Sequence, residues 1–386
     1  MKIRLAVVLV IAAGFAIVMG VGTAWAQEPY TPLQIGMVTG VSSASCSNPY
    51  GNYATGASCF SATVQNCANT TDLGFTFGEV LVSNNKGTVV LFNGSGGDQA
   101  PGGTDYANYY VQNGYQVVQV VWNSPWETSD VLINYSPTFQ AYSIKDAGCR
   151  PATVLNYVYQ NIYPQGKLPK AGMCAQGTSA GSAAIGYALA EYGAYSYLDN
   201  VELLSGPVLS DIEKGCVVPK TPSFTVCPAS QTYCQTGTPP EGGWPDAPQY
   251  IPSYNTAVDN WSYILNACNN GTTTTASQNA AWKQMSIVDG QIDSIFSYPQ
   301  TALAGWLCSN TSVNCGNAPC QNNSAAEGQY FYAQLSGSLA HDKVYRIDKC
   351  SGQEGVSDGF LPPPNQSTTG LVAIEGDMLA NCQLHH

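Results

Sequence analysis

The sequence has little charge, few basic residues and only three histidines, and each shortage argues against a class of function. Charged residues make up 10% of the 386-residue chain, and 13 Lys and Arg face 25 Asp and Glu, for a formal net charge of −12. We therefore expect no nucleic-acid partner, because a phosphate backbone is held by clustered Lys and Arg. We also expect no metal site, because Cys308, Cys315 and Cys320 form no paired CxxC units and histidine is scarce.

Outside one run near the N-terminus, the chain lacks apolar segments long enough to cross a membrane. Lys2 and Arg4 precede an uncharged, largely apolar run that ends in Ala24-Trp25-Ala26, the small-x-small pattern that signal peptidase recognises. We predict a signal peptide over residues 1–26, a secreted or periplasmic protein, and no stable membrane association after cleavage. The alternative is an uncleaved anchor, since the run is long enough to span a bilayer.

The cysteines point to an oxidising compartment. All 14 follow Ala26, and an even number of cysteines in an exported chain indicates mostly disulfides. Residues 27–386 are long enough to form one large domain with a sizeable core. Residues from about 212 to 280 contain four cysteines, several prolines and little periodicity. We interpret them as a disulfide-tied, cap-like insertion after a strand at 201–206.

Short β-branched runs alternate with longer helical patterns through the middle of the chain. This alternation predicts an α/β fold with a doubly wound, mostly parallel sheet that helices cover on both faces. The predicted strands are 88–92, 115–122, 171–175, 201–204, 285–288 and 344–347. The predicted helices are 105–112, 143–162, 301–307, 325–335 and 369–380, together with one that follows residue 179.

The strongest chemical signal is a GxSxG pattern, Gly177-Thr178-Ser179-Ala180-Gly181, between a predicted strand and a predicted helix. A serine hydroxyl that attacks a carbonyl must protrude from a sharp strand-to-helix turn, and the strained backbone leaves room only for glycine two positions before and after it. The following helix directs N–H groups and partial positive charge toward a developing oxyanion. We therefore predict that Ser179 is a nucleophile; the alternative is a Gly/Ser-rich turn without chemistry.

A second glycine-rich segment, Asn93-Gly94-Ser95-Gly96-Gly97, follows the predicted strand at 88–92. Acyl transfer needs two N–H donors for the oxyanion, one from the residue after the nucleophile and one from a loop after an earlier strand. Ala180 and Ser95 are the candidates for these donors. On its own the segment is better explained as a tight glycine turn.

A third segment, Ser286 to Asp293, is followed by a proline-bearing turn at Tyr298 to Thr301. Together with the NGSGG loop and the GTSAG turn, it resembles the α/β-hydrolase superfamily, in particular its esterase, lipase and depolymerase-like members, from about Thr88 to Cys382. The resemblance implies the α/β-hydrolase fold, with Asp293 as the acid of a catalytic triad. Asp211 is the alternative, because some members place the acid one strand earlier, and either aspartate can instead cap a helix.

The sequence departs from the family pattern at the histidine base. The resemblance places that histidine between the last strand and the last helix, but residues 351–359 contain none. Gln353 or Glu354 stands in its place, and a glutamine cannot accept and return a proton near neutral pH. Glu354 is a base only if burial raises its pKa. His341 precedes the last strand, so a parallel sheet should place it at the amino edge, away from Ser179.

The resemblance implies a hydrolase of carboxylic esters that works through an acyl-enzyme on Ser179 without a cofactor, on a small-molecule or extracellular polymer ester. Two alternatives share the fold: a catalytically inactive binding protein, indicated by the missing histidine, and a serine peptidase. Trp122, Trp126 and Glu127 follow a predicted strand at the carboxyl edge of the sheet. They either line the substrate pocket or pack beneath the insertion.

Overall fold

We describe the protein from a computed structural model. The described residues are 31–47, 53–94, 97, 103–128, 131–137, 139–212, 276–288, 295–308, 313–315, 318–320, 328, 330–332, 334–335, 342–347, 349–350, 355–361 and 368–384. The predicted signal peptide and nearly all of the predicted insertion lie outside these residues. Within them, no helix has the length and apolar character needed to span a bilayer.

The described residues form thirteen β-strands, nine of which build one central sheet in the order β1-β2-β3-β5-β4-β8-β9-β10-β13. The strands are β1 (Met37–Ala44), β2 (Ser58–Gln65), β3 (Leu73–Val80), β4 (Asn85–Phe92), β5 (Gln116–Trp122), β6 (Leu132–Ser136), β7 (Phe139–Tyr142), β8 (Lys167–Thr178), β9 (Asn200–Leu204), β10 (Ala302–Cys308), β11 (Val313–Cys315), β12 (Ala318–Cys320) and β13 (Asp342–Ile347). Strands β6–β7 and β11–β12 form separate two-stranded pairs.

The sheet is antiparallel at one end and parallel elsewhere. Strands β1, β2, β3 and β5 pair antiparallel, one with the next. Every remaining pair, from β5–β4 to β10–β13, is parallel. The parallel strands therefore all end at one edge of the sheet, which we call the carboxyl edge, and the loops that follow them meet there.

Helices cover both faces of the sheet, as the alternating pattern predicted. They are α1 (Gly103–Gln112), α2 (Ile144–Ala147), α3 (Cys149–Asn161), α4 (Ala180–Ala190), α5 (Ala276–Met285) and α6 (Gly370–Asn381). Helices α3 and α4 pack together over one face and build the larger core cluster, whereas α1 and α6 pack together over the other. The doubly wound α/β fold with a mostly parallel sheet is thus confirmed.

Two assignments between residues 285 and 308 were wrong. The segment 301–307 was expected to be helical, but residues 302–308 form strand β10, and all seven residues of that strand are buried. A short apolar run buried on both faces cannot be distinguished from a buried helix by periodicity alone. Residues 285–288, expected to be a strand of the sheet, lie outside it: Met285 ends α5, and the amides of Ile287 and Val288 donate to the carbonyls of Leu209 and Ser210, at 3.1 and 2.8 Å.

Among the residues that the structure describes, four disulfides join eight cysteines, which confirms the expectation of bridges. They are Cys46–Cys59, Cys67–Cys149, Cys174–Cys382 and Cys308–Cys350. The bridge from Cys174 to Cys382 ties the centre of β8 to the end of α6 across 208 positions of sequence. It fixes the C-terminal helix directly to the strand that leads to Ser179.

Candidate active site

Ser179 lies between the last residue of β8 and the first residue of α4, at the carboxyl edge of the sheet. Its φ of 55° and ψ of −115° are rare for a residue with a side chain. Strain of this kind persists only where the surrounding structure enforces it, and it is frequent at catalytic sites. The backbone therefore has the geometry of the nucleophile turn that the GxSxG pattern predicted.

The two glycines of the pattern are required by space. A Cβ on Gly177 would lie 2.2 Å from the carbonyl oxygen of Gly181, and a Cβ on Gly181 would lie 2.4 Å from the carbonyl oxygen of Phe92. Both distances are far below van der Waals contact. The turn can therefore bring β8, the first turn of α4 and the end of β4 together only with glycine at both positions.

Hydrogen bonds hold Ser179 in place from both sides. Its amide donates to the carbonyl of Leu204 at 2.9 Å, which continues the β8–β9 pairing one residue past the strand. Its carbonyl accepts from the Ala183 amide at 3.0 Å and from Ser182 Oγ at 2.5 Å. The first amides of α4, including that of Ala180, have no carbonyl one turn earlier in the helix and point out of its N-terminus. This is where an oxyanion donor is needed.

The glycine-rich loop after β4 lies against the same serine. A Cβ on Gly94 would lie 3.0 Å from Ser179 Cβ and 3.6 Å from its Oγ, so a side chain here would crowd the serine. The Gly94 amide donates to Asn93 Oδ1 at 2.9 Å, and the Gly97 amide donates to the Gly94 carbonyl at 2.9 Å. A hydrogen bond therefore joins Gly94 and Gly97 beside the hydroxyl. Ser95, the proposed second donor, lies outside the described residues.

Of the two candidate acids, the structure describes only Asp211. This residue is half-buried in the segment that follows β9, the neighbour of β8 in the sheet. The segment is held by the contacts of Leu209 and Ser210 with residues 287 and 288, and by a 2.8 Å bond from the Ile212 amide to Ser286 Oγ. Asp293 lies outside the described residues.

Ser205, a residue that the sequence analysis did not single out, begins the same segment. It has a φ of 50°, is fully buried, and its Oγ has no hydrogen-bond partner within the described residues. A second strained serine therefore stands one strand away from Ser179. No motif marks it in the sequence, because its conformation depends on the neighbouring strands rather than on a local pattern.

None of the three histidines is among the described residues, and neither are Gln353 and Glu354. The structure does describe residues 355–361 of the loop between β13 and α6, which follow them directly. Within that loop, Ser357 Oγ shares a 2.5 Å hydrogen bond with the Tyr106 hydroxyl of α1, and the Ser357 carbonyl accepts from the Leu371 amide at 2.9 Å. The loop is therefore tied to α1 and α6 at the carboxyl edge. Strand β13 begins at Asp342, which pairs with Leu303 near the start of β10.

The residues after β5 pack into the core rather than lining an open pocket. Trp122, Trp126 and Glu127 are 2%, 0% and 2% exposed. The fully buried guanidinium of Arg150 binds the carbonyls of Trp126 and Thr128, and at 2.7 Å it binds the carbonyl of Thr71 in a neighbouring loop. Of the two roles considered for these aromatic residues, the structure supports packing.

A buried carboxyl pair lies within the sheet below this edge. Glu202 of β9 is fully buried; Asn200 Nδ2 donates to its Oε1 at 3.0 Å, and Trp306 Nε1 donates to its Oε2. It also shares a hydrogen bond with the carboxyl of Asp377 on α6. Burial is the main reason that the pKa of Glu202 is raised well above its usual range, and the charge of Asp377 adds to the effect.

Asp377 is held by three further side chains. Its Oδ1 accepts from Lys343 Nζ at 3.0 Å and from the Tyr345 hydroxyl at 2.9 Å, and its Oδ2 accepts from Asn381 Nδ2 at 2.9 Å. Three side chains therefore donate to Asp377, and Glu202 is the member of the pair whose pKa is raised. The pair joins α6, which follows the loop at the carboxyl edge, to β9, which precedes the Ser205–Asp211 segment.

Comparison with known proteins found no matching family model and no matching curated protein. Solved structures with some similarity include esterases. An acetyl xylan esterase from Thermoanaerobacterium sp. JW/SL YS485 is 10% identical over 81% of each chain, with a TM-score of 0.42. A thermostable carboxylesterase from a metagenomic library is 9% identical over 83% of this chain and 88% of its own, with a TM-score of 0.41. A fungal esterase from Rhizomucor miehei is 13% identical over 90% and 86%, with a TM-score of 0.40.

The architecture itself defines the class of fold. The sheet runs β2-β3-β5-β4-β8-β9-β10-β13, with β3 antiparallel to its neighbours, and a strained serine follows the fifth of these strands in chain order. This arrangement, with a nucleophile turn after that strand, is the α/β-hydrolase fold. The fold implied by the sequence resemblance is confirmed.

Proposed function

We propose that the protein is a secreted serine hydrolase that cleaves carboxylic esters through an acyl-enzyme on Ser179. One observation carries the proposal: Ser179 occupies a strained strand-to-helix turn, and a glycine-rich loop lies against its hydroxyl group. A backbone strained in this way costs roughly 1–3 kcal/mol. A turn with no chemical role would therefore not require a strained serine beside a glycine-rich loop. The disulfides and the predicted signal peptide support secretion.

The proposed reaction has two steps. Ser179 Oγ attacks the ester carbonyl carbon while its proton passes to a base, and the carbonyl oxygen becomes an oxyanion that the amides of Ala180 and Ser95 bind. The C–O bond to the alcohol then breaks, and the alcohol leaves with that proton. A water molecule attacks the acyl-enzyme in the same way, which releases the acid and restores the serine.

The fold favours Asp211 over Asp293 as the acid of the triad. Asp293 was favoured because residues 285–288 were expected to be a strand of the sheet, and they are not. Asp211 follows β9, a strand of the sheet that directly neighbours β8. We propose Asp211 as the triad acid and keep Asp293 as the alternative. Asp211→Asn and Asp293→Asn separate them, since only the variant of the true acid should lose most of the turnover.

For the base, the loop between β13 and α6 is the proposed source, with Glu354 as the candidate. Residues 355–361 of this loop lie at the carboxyl edge and are tied to α1 through Ser357. A Glu354→Gln variant with undiminished ester turnover removes Glu354 from the mechanism. In that case His341→Ala is the next variant to measure.

A fluorophosphonate probe separates a hydrolase from a binding protein that shares its fold. We expect the probe to label the secreted protein at Ser179, and a Ser179→Ala variant to show neither labelling nor hydrolysis of p-nitrophenyl acetate. Ser42→Ala, at an exposed serine of β1, is the matched control and should keep both. Absence of labelling in the unaltered protein favours the binding role. Cleavage of casein faster than of the ester favours the peptidase.

A further inference from the structure

An open cavity of about 430 Å³ lies far from Ser179. It is lined by residues 32–35, by Asn156 of α3, and by Tyr192, Ser196 and Tyr197 between α4 and β9. The ends of α3 and α4 and the start of β9 all lie at the amino edge of the sheet, opposite the edge that carries the serine. Its volume is in the range of small-molecule sites, roughly 300–1,000 Å³.

The walls of the cavity are fixed by hydrogen bonds and close packing. The Leu33 amide donates to the carbonyl of Glu191 at 2.8 Å, and the Tyr192 hydroxyl donates to the carbonyl of Lys145 at 2.7 Å. Gly193, with a φ of 71°, allows Pro32 to approach closely, since a Cβ there would lie 2.8 Å from the proline ring. The cavity is therefore largely formed before a ligand arrives, which lowers the cost of binding.

Tyr197, which lines one wall of the cavity, is the last ring in a row of stacked tyrosines. Tyr197 stacks on Tyr159 with ring centroids 4.9 Å apart, and Tyr159 stacks on Tyr163 at 5.6 Å. Lys167 Nζ lies 4.3 Å from the centre of the Tyr163 ring and closes the row at its far end. Stacking holds the half-buried Tyr197 ring in one orientation at the cavity. A rigid aromatic ring beside polar groups is a surface on which the C–H face of a sugar ring can pack.

The polar groups of the lining carry no charge. They are the side-chain amides of Gln34 and Asn156, the Ser196 hydroxyl and the tyrosine hydroxyls. The Gln34 and Asn156 amides form no side-chain hydrogen bond with any described residue. An ionic ligand would lose hydration here without gaining an opposite charge. Amides, which both donate and accept, suit the vicinal hydroxyl groups of a neutral sugar.

We propose that this cavity binds a neutral hexopyranose unit of a glycan chain. The ring packs against Tyr197, and the amides of Asn156 and Gln34 bind its hydroxyl groups. The site is separate from the proposed ester hydrolysis and does not depend on it. If that function holds, the cavity retains the protein on a polysaccharide while the opposite edge of the sheet acts on ester groups.

The test measures binding of cellohexaose and of maltohexaose to the Ser179→Ala protein by isothermal titration calorimetry. We expect at least one of them to bind, and Tyr197→Ala, added to that protein, to bind about tenfold more weakly, equivalent to a loss of ~1.4 kcal/mol. Gln34→Ala, at an exposed position, should weaken binding in the same direction without risk to the fold. Tyr109→Ala, on α1 at the other face, is the matched control and should bind as before.

Two results overturn the proposal: neither oligosaccharide binds at millimolar concentration, or both cavity variants bind as tightly as the control. Fluorophosphonate labelling is measured in parallel on Tyr197→Ala with Ser179 intact. Labelling that persists while sugar binding is lost shows that the variant is folded and that the two sites are independent. Failure of ester hydrolysis alone leaves the sugar result unaffected, so the two proposals fail separately.

Discussion

Replacing Glu202 with glutamine should change how the stability of the protein depends on pH. In the folded protein the pKa of this carboxyl is raised well above its usual range, because it is fully buried beside Asp377. The folded chain therefore holds a proton that the unfolded chain releases above about pH 4.5. This stabilisation is fully present below the unfolded pKa and is lost as the pH rises toward the folded value.

The expected magnitude follows from one proton. Where the folded state binds one proton more than the unfolded state, the free energy of unfolding falls by ~1.4 kcal/mol per pH unit. Glu202→Gln removes that contribution to the slope. The amide also places an N–H group where Asn200 or Trp306 donates, which costs about 1–3 kcal/mol at every pH. The slope of stability against pH, rather than stability at one pH, is therefore the measured quantity.

Urea unfolding followed by tryptophan fluorescence, from about pH 5 to about pH 8, measures this slope for the unaltered protein and the variant. A second variant, Glu375→Gln, tests whether the contribution of a buried carboxyl to the slope ends at the pH expected from its pKa. Burial, with a smaller contribution from Asp105, raises the pKa of Glu375 to about 7, so its contribution ends near that pH. Glu375→Gln should therefore change the slope below about pH 7 and no longer above it. If the slope of Glu202→Gln equals that of the unaltered protein throughout, Glu202 is ionised in the folded state and the reasoning is wrong.

Three further changes test the turn and its support. Gly177→Ala forces the turn to move, because its Cβ would lie 2.2 Å from the Gly181 carbonyl oxygen; we expect about 100-fold lower kcat/KM with an unchanged circular dichroism spectrum. Replacing Cys174 and Cys382 by alanine opens a closure of 208 positions and should lower the free energy of urea unfolding by about 2–5 kcal/mol. Arg150→Met leaves three carbonyls without a donor and should lower the free energy of urea unfolding by about 3–5 kcal/mol. An unchanged urea midpoint would contradict the role of this guanidinium.

Local pattern was sufficient for the central strands and the nucleophile turn. The runs at 88–92, 115–122 and 201–204 predicted strands, and the structure confirms all three. The GxSxG pattern predicted the strained turn at Ser179, because its two glycines are required by contacts within a few residues or with the adjacent strand. Such short-range constraints are visible in the sequence itself.

The pattern was insufficient where a segment's neighbours decide its structure. The run at 302–308 is apolar throughout, and only its pairing with β9 and β13 makes it a strand. The apolar residues at 287–288 look like a strand in isolation, but they pair with the segment after β9 instead of joining the sheet. Because residues 287–288 are not part of the sheet, the proposed acid of the triad changes from Asp293 to Asp211.

The sequence by itself determined the class of fold and the residue at its strained turn, since both follow from periodicity and from glycines that act on their immediate surroundings. Only the tertiary structure revealed the buried contact between Glu202 and Asp377, the second strained serine at 205, and the cavity beside Tyr197. Each of these depends on groups more than 100 positions apart or on the direction of a neighbouring strand. Burial and distance arise only when the chain has folded, and they set the pKa values and the cavity walls.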